Sequence, residues 1–150
     1  AKAHLFQTSK EITEKYAADG IKAYISVNKA LVTQSSAAIP IVPLYISILY
    51  KVMKEKGVHE GCIEQMYRLF AEKFGADGKP VSGAVDGKGR IRLDDLEMKP
   101  EIQDEVTKLW NILNADNFKE YTDIEGYWKD FYELFGFGID GVDYEADVEV

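Results

Sequence analysis

From Ala37 to Tyr50 the chain carries no charged side chain, and Lys51, Lys54, Glu55 and Lys56 follow at once. The stretch contains Pro40, Pro43 and Ser47 and is too short for a membrane span. It reads as a core helix that Pro40 opens, apolar nearly all round and therefore buried on several sides. Gly57 ends it. The rest of the chain must supply the surfaces that cover this helix.

Upstream, Leu5, Ile12 and Tyr16 recur at helical spacing and Gly20 is a stop signal. The chain opens at Ala1 without an initiator methionine and already inside that helix, so truncation or processing is expected. Ala23 to Asn28 alternates as a short strand, with Ala23, Ile25 and Val27 on one face. A lone strand cannot satisfy its backbone, so its neighbours are expected before Ala1. Leu31 to Ser36 then forms a small polar loop.

Beyond Gly57, a helix is expected from about His59 to Phe74 with Cys62, Met66, Leu69 and Phe70 on its buried stripe. Glycine-rich loop follows from Gly75 to Gly89, and Asp86-Gly87 turns the chain into an extended piece, Arg90 to Leu93. Pro100 starts another helix, burying Ile102, Val106, Leu109, Trp110 and Leu113. Thr122 and Glu125 make a capping box for a last helix that turns Tyr127, Phe131 and Leu134 inward and ends at Gly136. The tail carries Asp140, Asp143, Glu145, Asp147 and Glu149, while Phe137 and Tyr144 suggest that it packs back. The class is α/β: a mostly helical, C-terminal part of a Rossmann-like doubly wound domain, with one strand, about five helices and a small extended insert.

A chain of 150 residues, 46% hydrophobic and 29% charged, suits one soluble globular domain. Its net charge of -8 disfavours nonspecific binding to nucleic acid or to an anionic membrane. The single cysteine, Cys62, cannot form an intramolecular disulfide, which favours a reducing compartment, the cytoplasm. His59 and Cys62 share a helical face on this reading, yet two histidines and one cysteine are too few for a ligand set. Cys62 reads as a buried packing residue. Asp86 to Glu97 has the length of a calcium loop, but Lys88 and Arg90 stand where oxygen ligands belong and Ile91 replaces the glycine. Gly87-Lys-Gly89 is a hairpin tip, too short to cradle phosphate.

In a doubly wound domain ligands bind beyond the carboxyl ends of the strands, and Leu31 to Ser36 occupies that position. Thr33 offers a hydroxyl there, and the next helix N-terminus can help hold negative charge. A Ser/Thr loop before a helix is also, commonly, only a capping loop.

The run Ser26-Val-Asn-Lys-Ala-Leu-Val-Thr-Gln-Ser-Ser36 resembles the cofactor-loop segment of the trans-2-enoyl-CoA reductases and the related FabV-type enoyl-ACP reductases. Ile39-Pro-Ile-Val-Pro-Leu-Tyr45, Lys51-Val-Met-Lys-Glu-Lys-Gly57 and His59-Glu-Gly-Cys-Ile-Glu-Gln65 continue the match. Arg90-Ile-Arg-Leu-Asp-Asp95 and Gly136-Phe-Gly-Ile-Asp-Gly-Val-Asp-Tyr144 extend it to the C-terminus, the stretch after Gly75 being least informative. In that family NADH passes hydride to C3 of a 2-enoyl thioester, and a tyrosine hydroxyl stabilises the resulting enolate oxygen. A lysine of the same motif binds the cofactor ribose and favours a more acidic tyrosine.

The resemblance implies that Lys2 is this lysine, catalytic and cofactor-binding, although a frayed surface lysine is the alternative. The tyrosine and the glycine-rich phosphate loop would precede Ala1, in an upstream N-terminal portion of the same enzyme. Leu31, Val32 and Thr33 would contact the nicotinamide half of NADH, and Val42, Tyr50 and Tyr127 would line the acyl pocket, unless they are plain core residues. Where some relatives carry phenylalanine, Tyr50 adds a hydroxyl. The chain would then be the C-terminal portion of one reductase domain. Residues 1–36 would hold the lysine helix, strand and cofactor loop, and residues 37–150 the helical acyl-pocket region and tail. Enoyl-CoA or enoyl-ACP would be the substrate; the competing reading is a noncatalytic helical module that binds acyl groups or a partner.

Overall fold

The structure, a computed structural model, describes residues 1–147; Glu149, counted above in the acidic tail, lies outside the described residues. It is α/β, about half helical and not mostly so as expected, with a small parallel sheet. The chain folds into two compact units: residues 1–29 with 60–96, and residues 30–59 with the chain from Glu97 onward.

The first unit contains helix α1 (Lys2–Lys15), strand β1 (Ile25–Val27), helix α4 (Cys62–Glu72) and strand β2 (Arg90–Arg92). The strand β1 finds its neighbour within the chain: β2 pairs with it in parallel, Ile25 opposite Arg90 and Val27 opposite Arg92. This corrects the expectation of a lone strand, because the extended piece predicted near Arg90 is itself the partner. Past the last pair, the Val27 carbonyl accepts from the Leu93 and Asp94 N–H groups. Leu69, Ile91 and Leu93 form the core here, with Tyr24, Met66 and Phe74 packed against it. Gly20, at φ 72, closes the short turn after α1 in the left-handed region that glycine enters without strain. The predicted turn is built on Asp86, whose carboxylate accepts from the Lys88 and Arg90 N–H groups and from the Arg90 guanidinium.

Helix α4 departs from the expected stripe. It begins at Cys62 with Gly61 as its N-cap, and its buried residues are Gln65, Arg68 and Leu69, while Cys62 and Phe70 are exposed. Arg68 can be buried because every part of its fork is matched. It donates to both oxygens of Glu60 (2.7 and 2.8 Å), to Asp95 (2.8 Å) and to the Leu93 carbonyl (2.7 Å). Lys73 holds the other Asp95 oxygen. Burial pushes the Asp95 carboxyl up, but Lys73 and Arg68 outweigh it and hold it below its ordinary value. Gln65 takes the Lys29 N–H on its side-chain oxygen at 2.8 Å. A polar face with its partners satisfied is buried where apolar periodicity alone pointed elsewhere.

The second unit contains α2 (Gln34–Ala37), α3 (Val42–Glu55), α5 (Pro100–Ile112), α6 (Phe118–Tyr121) and α7 (Ile124–Glu133). Helix α3 is the predicted core element, with Ile46 to Tyr50, Val52 and Met53 all buried, and it packs against α5 and α7. It starts at Val42, two residues after the expected Pro40. Ile41 sits at φ 73, a strained conformation for a β-branched residue, and separates α3 from the turn before it. Pro43 thus takes the first-turn place, where a missing N–H costs nothing. Gly57, at φ 66, follows its last turn as expected.

Helix α5 opens at Pro100 and buries Ile102, Val106 and Leu109; of the other residues expected on that face, Trp110 is exposed and Leu113, which follows the last helical residue, is half-buried. The cap of α7 is Asp123, whose carboxylate accepts the Gly126 N–H at 3.0 Å, and not the predicted Thr122–Glu125 box. Thr122 instead donates to the Phe118 carbonyl, closing a short helix that periodicity did not indicate. Tyr127 is buried as expected, Phe131 partly so, and Leu134 is exposed. The tail packs on itself: the Tyr144 hydroxyl donates to the Gly136 carbonyl and accepts from the Ile139 N–H, both at 2.8 Å. No described helix is long and apolar enough to cross a membrane.

Candidate functional site

The peptide after β1 leads into the loop Ala30–Thr33, which belongs to the second unit. Its backbone groups are unevenly engaged. The Ala30 N–H donates to Glu97 Oε2 at 2.7 Å, and the Val32 N–H to the Tyr50 hydroxyl at 3.4 Å. The Thr33 N–H donates to Ser36 Oγ at 2.8 Å, while Thr33 Oγ1 accepts the Ser36 N–H at 3.0 Å. This reciprocal pair caps α2, so the stretch from Gln34 is helical and not loop as expected. A single turn carries little macrodipole, which removes most of the anticipated pull on negative charge. Among the described residues, the Leu31 N–H and the Val32 carbonyl have no protein partner. One donor and one acceptor therefore stand on neighbouring residues, beside the exposed Thr33.

Behind the loop lies an apolar cluster. Val32, Ile46, Tyr50 and Tyr127 are its buried members, and Ala30, Val42, Tyr45, Ile124 and Phe131 pack against it. Four of the predicted residues, Val32, Val42, Tyr50 and Tyr127, thus come together. Leu31 and Thr33 flank Val32 along the chain. Tyr50 is fully buried, its ring edge-on to His59 at 4.5 Å and its hydroxyl donating to Asp130 Oδ2 at 2.7 Å. Burial and then the Asp130 carboxylate raise its pKa far above the ordinary tyrosine value, so it stays protonated. Tyr45 behaves alike, raised by burial and by Glu97. Val42 and Tyr45 also line an open apolar groove of about 360 Å³ with Ile41, Gln103, Val106 and Trp110.

Lys2 is the first residue of α1 and is exposed. It belongs to the first unit, apart in the chain's organisation from the other predicted residues. His59 and Cys62 do not share a helical face, because α4 begins only at Cys62. Among the described residues no group of three or more His, Cys, Asp or Glu side chains could hold a metal. Sequence reasoning missed Glu97, Tyr45 and Asp130. A signal existed for Asp130, which stands three places after Tyr127 and so shares the face turned to the core.

A family model described as “Trans-2-enoyl-CoA reductase catalytic region” matches residues 1–74, and one described as “Enoyl reductase FAD binding domain” matches residues 85–148. The chain is 57% identical, over its whole length, to the trans-2-enoyl-CoA reductase [NADH] of Ruminiclostridium cellulolyticum, of which it spans 37%. It belongs to the trans-2-enoyl-CoA reductase family. It is also 54% identical to the enoyl-[acyl-carrier-protein] reductase [NADH] of Coxiella burnetii, spanning 36% of that protein. Among solved structures it is similar to the Clostridium acetobutulicum trans-2-enoyl-CoA reductase in complex with NAD. The TM-score is 0.89 at 50% identity, covering 99% of this chain and 38% of that one.

The nicotinamide end of a dinucleotide suits the loop: a carboxamide offers one acceptor and donors to match the Leu31 N–H and the Val32 carbonyl.

Proposed function

We propose that this chain is the C-terminal, Rossmann-like portion of an NADH-dependent reductase of trans-2-enoyl thioesters, working in the cytoplasm in fatty acid or butyrate metabolism. Its substrate is carried on CoA or on an acyl carrier protein. The observation that carries this reading is the loop Leu31–Thr33, with an open donor and acceptor, backed by the cluster of Val32, Val42, Tyr50 and Tyr127. NADH, when bound, supplies the hydride that reduces C3 of the enoyl group. The Leu31 and Val32 backbone groups and the Thr33 hydroxyl orient the nicotinamide by hydrogen bonding. Val42, Tyr50 and Tyr127 exclude water from the acyl side, Tyr50 as a neutral wall whose proton is committed to Asp130. Lys2 holds the cofactor ribose, and its positive charge favours ionisation of a tyrosine supplied by the upstream portion of the same protein. Residues 1–36 thus carry lysine helix, strand and cofactor loop, and residues 37–150 the acyl-pocket region, of a single reductase domain.

The test is NADH oxidation with crotonyl-CoA, first by this chain alone and then by the chain joined to the upstream sequence. No turnover is expected alone, and turnover when joined. Robust activity from the isolated chain would overturn the assignment of the tyrosine to another segment. A folded, joined protein without activity would favour a noncatalytic binding module.

A further inference from the structure

We infer that Glu97 with Tyr45, and Asp130 through Tyr50, are positioning residues that set the loop Ala30–Thr33 for NADH; this rests on the reductase reading above. The Ala30 N–H ends on Glu97 Oε2 at 2.7 Å, and Glu97 Oε1 takes the Tyr45 hydroxyl at 2.6 Å. Gln103 completes the arrangement, its side-chain N–H donating to the Tyr45 oxygen at 3.2 Å and to the Glu97 carbonyl at 2.8 Å. Two residues further on, the Val32 N–H ends on the Tyr50 oxygen, which passes its own proton toward Asp130 at 2.7 Å. A phenol that donates to a carboxylate is the more strongly polarised acceptor.

Alternate peptide groups of the loop are therefore fastened to carboxylates, one directly and one through a phenol. The fastening side chains rise from three different elements: Tyr45 and Tyr50 from α3, Gln103 from α5 and Asp130 from α7. Glu97 is only 6% exposed, and a buried carboxylate persists where its oxygens are hydrogen-bonded. A loop that needed only to turn is already closed by the Thr33–Ser36 cap. The added anchors restrain the rotation of the Ala30 and Val32 peptide groups, and so fix where the unpartnered Leu31 N–H and Val32 carbonyl stand. Preorganised groups of this kind favour binding because little ordering remains to be done when the ligand arrives.

The experiment uses the full-length protein, with NADH affinity read by fluorescence titration and KM read separately for NADH and crotonyl-CoA. Glu97→Ala is expected to weaken NADH binding and raise its KM about tenfold or more, the range for losing a charge-assisted hydrogen bond. Its KM for crotonyl-CoA is expected to stay within about twofold. Glu97→Gln is expected to recover most of the loss, since its amide oxygen still accepts from Ala30 and its NH2 can donate to Tyr45. Tyr45→Phe, which leaves the Ala30 bond in place, is expected to shift the same two quantities by about threefold and serves if Glu97→Ala fails to fold. Unchanged NADH affinity in folded variants overturns the inference. So does a lower kcat with both KM values unchanged, or a Glu97→Gln variant as impaired as Glu97→Ala. A wild-type protein that neither binds nor oxidises NADH contradicts the reductase reading itself, and this inference with it.

Discussion

The two units of the chain are stabilised by different physics. The second is organised around α3, where consecutive residues from Ile46 to Tyr50 are buried and the polar side chains among them are satisfied, Ser47 by the Leu44 carbonyl and Tyr50 by Asp130 of α7. The first is organised around Arg68, which ties Glu60, Asp95 and the Leu93 carbonyl into one network. Its apolar core is small, α1 contributes no buried residue, and Ile63, Tyr67 and Phe70 of α4 stand exposed. Apolar burial is nondirectional and tolerates substitution by volume, whereas a buried guanidinium requires all its partners at once. The contrast also locates precision: the loop assigned to the cofactor is fastened to the unit with the larger apolar core.

The contrast breaks most visibly under truncation of each hub. Leu49→Ala removes a fully buried side chain and is expected to cost about 4 kcal/mol, by the usual sum of lost transfer energy and cavity. Arg68→Ala leaves the largely buried Glu60 without its cation and Asp95 with Lys73 alone, and is expected to cost about 3 kcal/mol, discounted because Asp95 is partly exposed. Chemical denaturation with hydrogen exchange resolved by residue would check both. The first variant should lose protection in α3, α5 and α7, and the second in α4 and β2. Equal loss everywhere from either variant would dissolve the distinction between the units.

pH sharpens the same comparison. Tyr45 and Tyr50 have raised pKa values in the folded state, so their contribution is complete below the unfolded tyrosine value near 10. Above about pH 10 the unfolded chain loses these protons while the folded one keeps them. Stability should then fall by about 1.4 kcal/mol per pH unit for each tyrosine. Tyr50→Phe should reduce that slope by about 1.4 kcal/mol per pH unit, read from denaturation midpoints between about pH 10 and 11. A slope unaffected by the substitution would mean that the hydroxyl is not held by Asp130. The smallest effect is expected at the α7 cap. Asp123→Ala should cost about 1 kcal/mol, seen as a modest drop in Tm with loss of protection confined to the first turn of α7.

Much of the second unit was legible in the sequence, because an uncharged stretch opened by proline, with a glycine after the helix it forms, admits few arrangements. Ile102, Val106 and Leu109 of α5 and the inward Tyr127 followed from the same periodicity, whereas Trp110 did not. The first unit was harder to read. The buried face of α4 depends on Glu60 and Asp95, far apart in the chain, and no local pattern marks Arg68 as buried. The pairing of β1 with β2 is likewise long-range, and β2 is only three residues long. At the candidate site, resemblance pointed to Val32, Val42, Tyr50 and Tyr127, which the fold gathers into one cluster. It did not point to Glu97, because a carboxylate two residues after Asp94-Asp95 looks like any surface acid until its partners, Ala30 and Tyr45, are in place.

The central claim is that Leu31–Thr33 presents the nicotinamide of NADH to an enoyl thioester. Its most direct test is to follow the label from NADH carrying deuterium in both positions at C4 of the nicotinamide, using the full-length protein, crotonyl-CoA and mass spectrometry of the product. The account predicts one deuterium at C3 of the saturated thioester, with transfer strongly slowed when Leu31–Thr33 is replaced by glycines. Label-free product, or transfer undiminished by that replacement, would contradict it.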